Sequence, residues 1–227
     1  MTELKLDTLD RDGALQESVE RVWGGSRADL FRGAAVGGAA LLGALVLPTP
    51  GRSAATNDVD ILNYALTLEY LQASFYTETE RIGALKTDAA RTAARVLGSV
   101  ERAHVRALRE VLGKAAVKRP FFNFQGTTED QQKFLKTAVA FEDLAVAAYK
   151  GQAPLLDSKA LLAAAVAIHS VEARHAAWMR HLFGIVPAAH AFDEPASKPK
   201  ILRIVASTRF IASTPKMTGG ADPRFTG

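Results

Sequence analysis

The sequence predicts an all-α fold: an antiparallel four-helix bundle in which two helical hairpins are joined by one long crossover. Three observations predict it. Ala, Leu and Val dominate the 227-residue chain and aromatic residues make up only 7%, a composition that favours helix, and no run of alternating β-branched residues marks a sheet. Four segments of about 25 residues, each near 38 Å long as a helix, follow one another between an N-capping residue and a glycine. The links between them are short, long and short.

The first helix is capped by Asn57, carries Asp58 and Asp60 in its first turn, and runs to about Ile82 before Gly83. Acidic residues there complement the positive end of the helix dipole. Thr87-Asp88 opens the second, which ends at Leu112 before Gly113. Thr127-Thr128-Glu129-Asp130 opens the third, which reaches about Lys150 before Gly151. Asp157 or Ser158 opens the fourth, which runs to about Phe183 before Gly184. A few residues join helices 1 and 2, and likewise 3 and 4, so each pair is an antiparallel hairpin. The link from Lys114 to Gly126 contains Pro120, Phe121, Phe122 and Phe124. Thirteen extended residues reach roughly 43 Å, enough to cross the length of the bundle. The three phenylalanines read as an apolar cover for this crossover.

The chain divides into residues 1–55, residues 56–184 and a tail, 185–227. In residues 1–25, Leu15, Val19, Val22 and Trp23 fall at helical spacing. Ser26-Arg27-Ala28-Asp29-Leu30-Phe31-Arg32 then leads into an apolar run from Gly33 to Pro48 and small residues at Ser53-Ala54-Ala55. At about sixteen residues the run is shorter than a bilayer-spanning helix. Basic flank, apolar segment and small residues follow the order of a secretory signal. The segment resembles a twin-arginine export signal, with Ala28 where that signal has its second arginine. The expected location is therefore the cell envelope or the exterior, with the cytoplasm as the alternative. A further reading ties residues 26–50 to a membrane surface or a partner. In the tail, Ile201 to Ile211 is expected to form a short helix covering one end of the bundle, and the Gly, Pro and Thr content beyond Ser213 suggests disorder.

Charge and composition exclude several functions. The net charge is +4, and basic residues are mixed with acids rather than interleaved with aromatics, so nucleic acid is not the expected partner. The chain has no cysteine, which removes disulfides, thiolate zinc sites and cysteine nucleophiles.

The two hairpins repeat each other. Ser99-Val100-Glu101-Arg102-Ala103-His104 matches Ser170-Val171-Glu172-Ala173-Arg174-His175, an offset of 71. Leu68-Glu69-Tyr70-Leu71 matches Phe141-Glu142-Asp143-Leu144, an offset of 73, and Tyr76 and Tyr149 each follow their glutamate by seven residues. The repeat implies a pseudo-two-fold axis along or across the bundle. With twelve glutamates and five histidines, one Glu-x-x-His arises about 0.3 times by chance and a surface salt bridge explains it. Two pairs inside Ser-Val-Glu-x-x-His on equivalent helices are much harder to obtain.

Helical spacing aims all these groups inward. Glu69 shares a face with Leu62, Ala65, Ala73 and Tyr76. Glu101 and His104 share one with Ala94, Leu97 and Leu108, Glu142 with Leu135, Ala138, Ala145 and Tyr149, and Glu172 and His175 with Ala165, Ile168, Met179 and Leu182. Four ionised carboxylates in one core carry a large desolvation penalty unless balanced. Two divalent cations balance them, and oxygen and imidazole donors suit iron or manganese, zinc less distinctively. A Glu and a His three residues apart can share one ion, and a glutamate from the facing helix can bridge two.

These residues resemble the ferritin-like superfamily, and more closely the exported bacterial ferritin-like domain proteins related to the plant desiccation-related proteins. The resemblance covers roughly Asn57 to Phe183. It implies Glu69, Glu101, His104, Glu142, Glu172 and His175 as ligands of two metal ions, and oxygen, peroxide or iron redox chemistry such as a ferroxidase or a peroxide-consuming enzyme performs. The alternative is a stress or envelope protein whose metal site only stabilises the bundle. A ferritin cage has no readable signature here, and smaller oligomers stay open. Tyr76 and Tyr149 are candidates to hydrogen-bond a ligand carboxylate or to act as redox partners; packing that fills the bundle is an equal alternative. His169, whose counterpart is Gly98, reads as a core histidine or one that supports a ligand. His181 and His190 read as surface or cap residues, and Glu78 and Glu80 as solvent-facing partners of Arg81 or Lys86.

Overall fold

Three of the four bundle helices begin where a side chain accepts from one of their first free N–H groups. The computed structural model describes residues 56–212, with helices α1 (Thr56–Ile82), α2 (Asp88–Leu112), α3 (Gln131–Gln152), α4 (Lys159–Phe183) and α5 (Lys198–Thr208). Thr87 accepts from the N–H of Ala90, Asp130 from Lys133 and Ser158 from Leu161. Gly184 ends α4 in the left-handed region at φ 86°. Its N–H and that of Ile185 reach back to the carbonyls of His181 and Arg180 at 3.1 and 3.0 Å, a closure that glycine adopts without steric penalty. The expectations for residues 1–55, and for disorder beyond Ser213, lie outside the described residues.

α3 departs from expectation. It does not stop at Gly151 but continues to Gln152 and into a 3-10 turn, Ala153–Leu155. Gly151 is a packing residue instead: the Ala196 carbonyl lies where a side chain would project, and the Ala196 N–H donates to Ala147 O at 2.9 Å.

α1 packs chiefly on α2, and α3 on α4. Asn57, expected as the cap of α1, lies inside that helix and donates to Leu155 O at 2.7 Å, and buried Asp58 accepts from the N–H groups of Asp157 and Ser158 at 2.8 and 3.2 Å. At the far end Gln131 accepts from the N–H groups of Lys86 and Thr87 at 2.8 and 2.9 Å. α1 therefore begins where α3 ends, and the pseudo-two-fold axis relating the hairpins runs across the bundle, not along it.

The crossover follows α1. Asn63 donates to Ala115 O and accepts from Val117 N at 2.9 and 2.8 Å, and Phe124 is buried in the core. β1 (Phe121–Phe122) pairs antiparallel with β2 (Ile211–Ala212), Phe121 opposite Ala212 and Phe122 opposite Ile211. Two-residue strands have no readable periodicity, so no sequence pattern marks this ladder. The tail helix is also shifted. It spans Lys198–Thr208, ends at Arg209 with φ 57°, and lies against α3, with Ile201 and Val205 buried. The core forms two apolar clusters, one rich in aromatic rings around Phe75, Phe134 and Phe141, the other aliphatic around Ile61, Leu66 and Leu108. Among the described residues no helix is long and apolar enough to cross a membrane.

Candidate metal centre

The inward faces of α1 to α4 place Glu69, Glu101, Glu142 and Glu172 in the core with no solvent exposure, and His104 and His175 almost as deep. Both histidines turn Nδ1 toward the carboxylates. His104 Nδ1 lies 3.3 Å from Glu69, 3.1 Å from Glu101 and 3.1 Å from Glu172. His175 Nδ1 lies 2.8 Å from Glu101, 3.4 Å from Glu142 and 3.9 Å from Glu172. Two groups of donors result: Glu69, Glu101, His104 and Glu172, and Glu101, Glu142, Glu172 and His175, each with one donor atom per residue within 4.8 Å of the others. Glu101 and Glu172 belong to both.

The tyrosines cross between the repeats. Tyr149 of α3 donates to Glu69 Oε1 of α1, and Tyr76 of α1 donates to Glu142 Oε1 of α3, each at 2.5 Å. Both alternatives held for them are partly met, since they fill the bundle and also hydrogen-bond a carboxylate.

Residues 57–184 match the family model described as the ferritin-like domain. The chain belongs to that family. No curated protein matches it. The buried residues of this ferritin-like bundle fit a metal. Glu69 Oε2, Glu101 Oε1, Glu142 Oε2, both oxygens of Glu172 and His175 Nδ1 make no hydrogen bond among the described residues, although buried polar atoms nearly always find a partner. His175 Nδ1 and Glu101 Oε1 approach to 2.8 Å, but without the alignment of a hydrogen bond. Unsatisfied donors converging from four helices are what a cation requires, and the oxygen and imidazole set suits divalent transition metals.

Left to itself the cluster balances its charge with protons. Burial pushes Glu69 up to about 7 against the pull of His104. Burial, followed by the charge of Glu101, raises Glu172 well above the carboxylate range. For Glu101 burial acts upward too, but His104 and His175 outweigh it and hold the group below that range. Burial would lower both imidazoles; the surrounding glutamates outweigh it, raising His104 well above its ordinary value and His175 to about 11. Burial and then the adjacent glutamates keep the Tyr76 and Tyr149 phenols protonated as donors. Divalent ions entering this ferritin-like centre would displace such protons.

The remaining candidates lie outside the cluster. His169 is half-buried with Nε2 unpaired among the described residues, and burial lowers its pKa. His181 and His190 are exposed. Glu78 and Glu80 do not pair with Arg81 or Lys86: Thr128 donates to half-buried Glu78 at 2.8 Å, and Arg102 pairs with Glu80 at 3.0 Å. The crossover and the neighbouring helix, not the local sequence, supply those partners. Gln72, not among the residues expected from the sequence, is buried with Nε2 unpaired among the described residues. Its spacing, three after Glu69 and four before Tyr76, marks the core face. The repeat hid it, because its counterpart is Ala145.

Proposed function

We propose that the chain is a di-metal carboxylate protein that holds two iron or manganese ions within its bundle and acts in oxygen, peroxide or iron redox chemistry. The overlap of two buried donor groups sharing Glu101 and Glu172 supports this reading most. Glu69 and His104 would hold one ion, Glu142 and His175 the other, and Glu101 and Glu172 both. When bound, iron or manganese supplies one-electron exchange between divalent and trivalent states. The residues supply the rest. Tyr149 and Tyr76 fix the orientation of Glu69 and Glu142 by donating a hydrogen bond to one oxygen of each, leaving the other free. The apolar clusters keep bulk water from the carboxylates. Glu101→Ala combined with His104→Ala should abolish metal-dependent oxidation of Fe(II); unchanged rates in that variant contradict the proposal.

Complete burial of all four glutamates also favours a second reading, in which the ions only hold the bundle together. It predicts a large fall in melting temperature on chelation and no ferroxidase, peroxidase or catalase activity. We also propose export through residues 26–55, supported by the basic, apolar and small-residue order of that segment. Cell fractionation with mass measurement of the mature chain tests it, and unprocessed cytoplasmic protein contradicts it.

A further inference from the structure

The two repeats share their polar groups but not their apolar ones. Around Tyr76 the core is closed by rings: Phe75 lies 5.4 Å from Tyr76, 5.4 Å from Phe134 and 5.1 Å from Phe141, centroid to centroid. The offset of 73 that carries Tyr76 onto Tyr149 carries Phe75 onto Ala148, Phe134 onto Ile61 and Phe141 onto Leu68. Three rings become an alanine and two aliphatic side chains. A pocket opens there, lined by Ile61, Leu68, Ala148 and Tyr149 together with Ala65 and Ala165, with a cavity volume of about 20 Å³, enough to admit one small molecule. The ring missing at Ala148 accounts for the space by comparison with the filled half.

The position and chemistry of the pocket select its occupant. No charged side chain lines it, so an ion or strongly polar substrate would lose hydration without compensation, whereas apolar cavities take up small apolar molecules. Tyr149 forms one wall, and its hydroxyl donates to Glu69. Ala65, in another wall, lies one turn before Glu69 on α1. We propose that this pocket binds dioxygen, a small uncharged apolar molecule, beside the Glu69 and His104 half of the centre, while the Glu142 and His175 half stays sealed by Phe75, Phe134 and Phe141. The assignment to dioxygen rests on the redox reading above; the existence of an apolar site does not.

Xenon is the probe, because it is apolar, small and indifferent to the metal. Xenon NMR titration of the full-length, metal-free chain should show saturable binding that Ala148→Phe abolishes and Ala148→Leu weakens. Both variants should retain helical circular dichroism and metal content. In the iron-loaded protein, oxidation of Fe(II) by dioxygen should slow by about tenfold or more in Ala148→Phe, the scale on which pocket filling changes discrimination, while oxidation by peroxide is unchanged. If Ala148→Phe fails to fold, Ala148→Leu carries the same comparison. Absence of xenon binding in the wild type overturns the site. Xenon binding with an unaltered dioxygen rate in both filled variants overturns the assignment to dioxygen. Xenon binding in a wild type that oxidises no Fe(II) refutes the redox reading, and dioxygen with it, but leaves the apolar site standing.

Discussion

Tyr149→Phe removes one oxygen atom and leaves the ring in place. The lost hydroxyl lies 2.5 Å from Glu69 Oε1 with both groups buried, so no water replaces it readily. A hydrogen bond to a charged buried group is worth about 1.5–3 kcal/mol, and every 1.4 kcal/mol is about tenfold in affinity. The half of the centre formed by Glu69 and His104 should therefore bind its ion about 10–100-fold more weakly, the range expected when a group orienting a ligand is lost. Tyr76→Phe should do the same to the half formed by Glu142 and His175. The crossed pairing makes the prediction specific: a substitution on α3 weakens the site whose terminal glutamate is on α1, and the reverse. Anaerobic calorimetric titration with Mn(II), combined with Glu69→Gln and Glu142→Gln backgrounds to mark the two halves, measures it. Each tyrosine substitution should have little further effect where its own glutamate is already altered, because the two act as one unit. Unchanged affinities, or equal loss at both halves from either substitution, would show that the crossed tyrosines do not orient the ligand glutamates.

Three further outcomes follow from the same geometry. The metal-free bundle should lose stability between pH 5 and 8. Glu69 rises from 4.5 to about 7 on folding, so its contribution is complete below about pH 4.5 and is lost as pH rises through 7, a change of about 3 kcal/mol. The histidines act in the same direction, their contribution held below 6.5 and falling above it, while Glu101 acts oppositely but only below about 4.5. Thermal melts without metal should fall across that window, and stabilisation by added metal should grow, since protons and metal compete. Asp58→Ala should lower stability by about 1–2 kcal/mol, because it leaves the N–H groups of Asp157 and Ser158 without their acceptor; urea titration measures the loss. Gly151→Ala should force the Ala196 carbonyl off α3, destabilise by about 1–3 kcal/mol and speed proteolysis of residues 185–197, which limited digestion would show.

Much of this was legible in the sequence because its signals are local. Asp130, Ser158 and Gly184 announce helix boundaries by their own capping chemistry, and helical spacing alone turns Glu69, Glu101, His104, Glu142, Glu172 and His175 toward one interior. The repeat supplied the rest of the cluster. What stayed hidden depends on contacts between remote segments. Gly151 has the look of a helix stop, yet it lies inside α3 and leaves room for the carbonyl of Ala196, forty-five residues later. The pairing of Phe121 and Phe122 with Ile211 and Ala212 has no periodicity to betray it. The direction of the pseudo-two-fold axis, and hence the crossing of Tyr76 and Tyr149 between repeats, required knowing that α1 starts where α3 ends. Glu78 and Glu80 likewise take partners from Thr128 and Arg102 that sequence proximity does not suggest.

Metal content, measured by mass spectrometry on the full-length chain expressed with added iron or manganese, decides whether the glutamate and histidine cluster is a metal centre. A di-metal centre should yield two ions per chain, both lost in Glu172→Ala/His175→Ala because Glu172 belongs to both donor groups. A folded, stable chain that carries no metal under either supplement would contradict it, leaving the glutamates as a buried, proton-balanced cluster.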